Sequence, residues 1–135
     1  MVQPKIDIPA GMDDPSEAAA VELLDRELIQ ELTGDYGVEI LDELRESLAV
    51  EGRQGLARLT TAIEQGSAED ARDALHAVRG AGLSVGCAVF GLEAQRLEHA
   101  AKEGVVPSAQ DAAAVGTLLE RSLEALAAIC AAGDS

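Results

Sequence analysis

The chain alternates long runs in which apolar residues recur every three or four positions with short breaks at glycine, serine or proline. Leu23, Leu24, Leu28 and Leu32 are the first such run, and they predict a helix over residues 16–34 that ends at Thr33-Gly34. A second run has Val38, Leu41, Leu44, Leu48, Gly52, Gly55, Leu59 and Ile63 in one stripe. Because the phase of that stripe survives both glycines, one long helix over residues 35–65 is expected, with a neighbour approaching closely at the glycines. Gly66 closes it, and Ser67 with Asp70 three residues on opens the next. That third helix carries Ala71, Ala74, Leu75, Val78 and Ala81 inward and fades between Gly82 and Gly86. A fourth spans residues 88–103, with Val89, Leu92, Leu97 and Ala101 read as inward, and stops at Gly104. The last begins at Pro107-Ser108, where Ser108 and Asp111 repeat the cap pattern, and continues through Val115, Leu118, Leu119, Leu123, Leu126 and Ile129.

No segment shows the two-residue alternation of a strand. The expected fold is therefore all-α: an antiparallel four-helix bundle, because the connections are short, with the N-terminal helix as a cap across one end. Residues 1–15, rich in Pro, Asp and Gly, are expected to form a flexible arm, and residues 16–135 a single domain. Its core must be aliphatic, since the 135 residues include one Phe, one Tyr and no Trp.

Charge narrows the function. The net charge is −15, which repels a phosphate backbone and argues against nucleic acid as a partner. The charge is also uneven, with 14 of the 25 acids but only three of the ten Lys and Arg residues in positions 1–51. Cys87 and Cys130 are too few and too far apart for a disulfide framework or a zinc site, and no metal site is expected. The polar, proline-broken start resembles neither a signal peptide nor a membrane span, so no membrane association and a cytoplasmic location are expected.

Of the two histidines, His76 stands out. It follows inward-facing Leu75 by one position, about 100° round the helix, and so falls at the edge or outside of the buried face. Arg72 and Asp73 lie one turn before it, and Arg79 and Gly80 one turn after. An accessible ring nitrogen, a cation at Arg79 and a missing side chain at Gly80 together suit a nucleophile that must meet a phosphoryl group and a docking partner. Asp73 is a candidate acceptor for one ring nitrogen. His99, near a helix end beside Glu98 and Lys102, has no comparable setting.

The stretch Leu75-His76-Ala77-Val78-Arg79-Gly80-Ala81-Gly82-Leu83-Ser84-Val85-Gly86 resembles the motif of the histidine phosphotransfer (HPt) family, roughly H-x-L-K-G-S-[SA]-x-x-[LIV]-G. Leu92, Leu97-Glu98 and Ala101-Lys102-Glu103-Gly104 downstream, and Leu24-Asp25 and Ala62-Ile63-Glu64-Gln65-Gly66 upstream, extend the similarity over about residues 23–104. The resemblance implies a phosphocarrier that shuttles a phosphoryl group between receiver-domain aspartates in a two-component phosphorelay. It implies His76 as phosphoacceptor and Arg79, Gly80 and Gly86 as phosphoryl-site or docking residues, to which the helix spacing adds Arg72 and Asp73. Arg79 replaces the family's usual lysine, and Ala81 a frequent serine. The implied partners are receiver domains of response regulators or hybrid histidine kinases. The chain needs no cofactor of its own, Mg²⁺ being expected in the partner, and a monomer is expected. No nucleotide loop is present, so autonomous kinase activity is not expected. The alternative is an HPt-like adaptor that binds a receiver or kinase without being phosphorylated. A plain helical interaction protein would instead need a large exposed apolar stripe.

Overall fold

The computed structural model describes residues 23–133. The expected arm and the start of the expected first helix lie outside the described residues. Five helices and no strand are present among those described: α1 (Arg26–Tyr36), α2 (Val38–Gln65), α3 (Ala68–Leu83), α4 (Ala88–Lys102) and α5 (Ala109–Gly133). Helices α2 to α5 close a ring in which α2 packs on α3 and α5, and α4 packs on the same two. The shared core is Leu41, Leu48, Leu59, Leu75, Val78, Phe90, Val115, Leu119 and Leu126, all essentially inaccessible. Burying each such side chain stabilises the fold by about 1.5–3 kcal/mol.

The long helix α2 is unbroken over 28 residues. Gly52 and Gly55 are buried in its stripe, as the phase argument required. A Cβ on Gly55 would overlap the Val78 side chain, and one on Gly52 would lie 3.0 Å from Leu119. The glycines thus cost helix propensity and in return let α3 and α5 approach the α2 backbone. Gly66, in the left-handed region, ends α2, and the Ser67 hydroxyl accepts from the Asp70 amide to start α3. Ser108 and Asp111 cap α5 reciprocally, Ser108 Oγ accepting from the Asp111 amide and Asp111 Oδ2 from the Ser108 amide.

Two local expectations are corrected. Helix α1 runs past Gly34 to Tyr36, and the break falls at Gly37, whose amide donates to the Thr33 carbonyl. Accordingly α2 starts at Val38 rather than residue 35. Leu92, expected inward, is 63% exposed. The buried stripe of α4 is Phe90, Ala94, Leu97 and Ala101, and Leu92 stands about 200° from Phe90 on the opposite side.

Helix α1 is fastened at the α3–α4 connection. Its cap residue Asp25 accepts from the Leu28 amide with its side chain and donates its own amide to the Gly86 carbonyl, 2.7 Å away. Gly86 has φ 87°, and a Cβ there would meet Ile29 at 3.0 Å and the Asp25 carbonyl at 3.3 Å. Only glycine combines that backbone conformation with that contact.

Candidate functional site

Helix α3 buries Ala71, Ala74, Leu75 and Val78 and, by the same phase, turns His76 outward. The His76 side chain is 66% exposed. Its neighbour across the helix pair is Glu98, which in sequence stands beside His99 and within the Leu97-Glu98 pair of the family resemblance. Glu98 of α4, 4% exposed, holds Oε2 2.9 Å from His76 Nδ1. A buried carboxylate is costly unless compensated, and three cationic or polar groups surround this one. Arg79 Nε stands 3.0 Å from Glu98 Oε1, and Lys102 Nζ is 3.9 Å from Oε2. The Arg79 Nε–H is buried and points off the line of a hydrogen bond, so this contact is an ion pair only. Arg79 Nη2 also reaches His76 Nδ1, at 3.0 Å.

Asp73 does not serve the ring. Its Oδ1 is engaged by Arg72, at 3.2 Å from Nε and 3.0 Å from Nη2, and Glu98 takes the place of acceptor expected for it. The reason is geometric: one turn away on the same helix points alongside His76, whereas a side chain from the packed helix points at it. Arg72, Asp73, His76, Glu98 and Lys102 line one shallow open depression. Arg79 borders the adjoining one, with Arg96 and Lys102. In a chain of net charge −15, four of the ten Lys and Arg residues line these two depressions beside the histidine.

Gly80 lies one turn beyond His76 and is exposed, and a Cβ there would touch nothing within 4 Å. Unlike Gly55, it is not required by any contact of the fold, although it weakens the helix by about 1 kcal/mol. Gly86 is different: it is buried against α1, where its effect is on packing. His99 is exposed, with Nε2 3.6 Å from Glu103 Oε2.

Glu98 and Lys102 were not among the sequence-derived site candidates, because their i,i+4 spacing pairs them with each other and not with His76. A signal existed in the helix phase: Ala94, Glu98 and Ala101 share one side of α4, so an acid there has to find a partner across the interface.

The helical bundle thus sets the exposed His76 against a buried carboxylate, with Arg72, Arg79 and Lys102 around it. Comparison with family models gives the class of protein. The Hpt domain model matches residues 40–129, well over half of the chain, and the protein belongs to the Hpt domain family. It is thus a histidine phosphotransfer domain of the kind that works with receiver domains in phosphorelays. Comparison with curated proteins gave no match, and comparison with solved structures gave none either. Among the described residues, no helix is long and apolar enough to cross a membrane.

Proposed function

We propose that this protein is a phosphocarrier that takes a phosphoryl group from a receiver-domain aspartate onto His76 and passes it to another receiver. The observation that carries this reading is the contact between His76 Nδ1 and the buried Glu98 carboxylate. A carboxylate accepts hydrogen bonds only, so it favours a proton on Nδ1 and leaves the lone pair on Nε2. No described residue makes a hydrogen bond to that Nε2.

The Nε2 lone pair attacks phosphorus, and the bond from phosphorus to the aspartyl oxygen breaks with its electron pair left on the carboxylate. No proton has to move. The ring becomes an imidazolium bearing the phosphoryl group, and its new positive charge sits against Glu98. Arg79, Lys102 and Arg72 supply countercharge to the phosphoryl oxygens. The same steps in reverse discharge the group onto a second aspartate. The aspartate and its Mg²⁺ belong to the partner, and the bare backbone at Gly80 gives the partner room to come close.

A chase experiment tests the shuttle. The protein is labelled by one phosphorylated receiver, separated from it, and mixed with a second receiver in Mg²⁺. Label should leave the protein and appear on the second receiver. Label that stays through the chase with every receiver offered would contradict a shuttle.

A further inference from the structure

Two groups of opposite character reach the same nitrogen of His76. Glu98 Oε2 is 2.9 Å from Nδ1 and Arg79 Nη2 is 3.0 Å from it. A carboxylate only accepts and a guanidinium only donates. Nδ1 of a neutral ring carries either a proton or a lone pair, so only one of these contacts is a hydrogen bond at a time. With the proton on Nδ1, Glu98 is the partner and Nε2 keeps its lone pair. With the lone pair on Nδ1, Arg79 is the partner and Nε2 carries the proton.

We propose that Arg79 is a positioning residue that gates the tautomer of His76. It competes with Glu98 for Nδ1 and holds part of the undocked protein in the Nε2–H form, which has no lone pair for phosphorus. An arriving phosphoryl group draws the guanidinium onto its own oxygens. Nε2 then loses its proton to water, Nδ1 gains one from water, and Glu98 accepts from Nδ1–H. The functional meaning of the gate rests on the phosphocarrier reading; the competition itself does not.

The way Arg79 divides its donors supports this. Arg53 grips Glu120 with both Nε and Nη2, at 3.0 and 2.7 Å, and Arg96 grips Glu93 in the same two-pronged manner. Arg79 has an equally close carboxylate, yet it sets only Nε against Glu98 and turns Nη2 to the ring. Its side chain is 26% exposed and borders an open depression, so part of it is within reach of an incoming anion. Lys102 stands near enough to Glu98 to keep that carboxylate compensated when Arg79 turns away. A lysine at this position carries its three donors on one rotatable nitrogen, without the fixed fork that sets Nε on the carboxylate and Nη2 on the ring.

The test is nitrogen NMR of the full chain carrying heavy-nitrogen-labelled histidine, at alkaline pH where imidazoles are neutral. Wild type, Arg79→Met and Arg79→Lys are compared, with circular dichroism to show that each variant is helical. The lysine variant keeps the charge beside Glu98 and guards against loss of folding in the methionine one. The ratio of Nδ1–H to Nε2–H at His76 should rise about tenfold with methionine, the size expected for removing one charge-assisted hydrogen bond, and by less with lysine. The ratio at His99, whose carboxylate neighbour is Glu103, should not move. A His76 ratio that is unchanged, or that shifts toward Nε2–H, in a folded variant would overturn the gate. Since no phosphoryl group takes part, such a result would leave the phosphocarrier reading standing. A His76 that never accepts label would end that reading without affecting the ratio.

Discussion

Glu98 and His76 stand 22 residues apart in the chain and meet at 2.9 Å across the α3–α4 interface, a buried carboxylate against an exposed imidazole. The pair engages one ring nitrogen from inside the protein, while the other makes no hydrogen bond to a described residue. On the proposed phosphocarrier reading, a carboxylate in that place also stabilises the cationic ring that phosphorylation of Nε2 would create. An amide in the same place would retain an acceptor but lose the charge. Glu98→Gln should therefore slow phosphotransfer by one to two orders of magnitude, about the worth of one charge-assisted hydrogen bond. Rapid-quench transfer assays at saturating receiver, with denaturant melts to show an intact fold, would check this.

Gly80 gives a prediction of opposite sign for stability and function. A methyl group there meets nothing in the protein and relieves the helix penalty of glycine. Gly80→Ala should raise the unfolding free energy by about 0.5–1 kcal/mol and weaken receiver binding. Chemical denaturation paired with a binding titration measures both. A variant that is stabilised and binds normally would show that the open backbone has no docking role.

Gly55 should behave in the reverse manner. Its Cβ position is occupied by Val78 of α3, and closely packed cores yield to added volume only at a cost. Gly55→Val should destabilise the protein by about 1–3 kcal/mol, and pairing it with Val78→Ala should recover part of the loss. A double-mutant cycle would show the coupling.

Cys87 provides a pH test of the core. It is fully buried, and burial pushes its thiol up to about 11, only partly offset by the Ser122 hydroxyl. The folded protein then keeps a proton that the unfolded chain gives up near pH 9. The stability this contributes is complete below that pH and is lost as pH rises toward about 11. The stability difference between wild type and Cys87→Ala should shrink over that window, by on the order of 2 kcal/mol. At pH 8, Cys87 should resist alkylation until the protein unfolds.

How far the sequence could be read depended on the range of the interactions. The caps at Ser67 and Ser108 involve partners three residues away, so their residue types announce them. The continuity of α2 was legible because Gly52 and Gly55 fall in phase with the leucines. The end of α1 was not, since Gly34 and Gly37 are both able to terminate a helix and tertiary packing decides between them. Leu92 was placed inward on hydrophobicity, whereas the helix phase set by Phe90, Ala94 and Leu97 turns it out. At the site, His76, Arg79 and Gly80 share a local motif and could be singled out as candidates. Glu98 arrives from another helix, and its pairing with His76 is a fact of the α3–α4 interface that local spacing does not contain.

Whether His76 accepts the phosphoryl group is decided by transfer from phosphorylated receiver domains to wild type and His76→Gln side by side, with Mg²⁺ present. Label should appear on wild type alone, lost in acid and stable in alkali as a phosphohistidine should be, with both proteins equally folded. Equal labelling of His76→Gln, or label that survives acid, would contradict acceptance at His76.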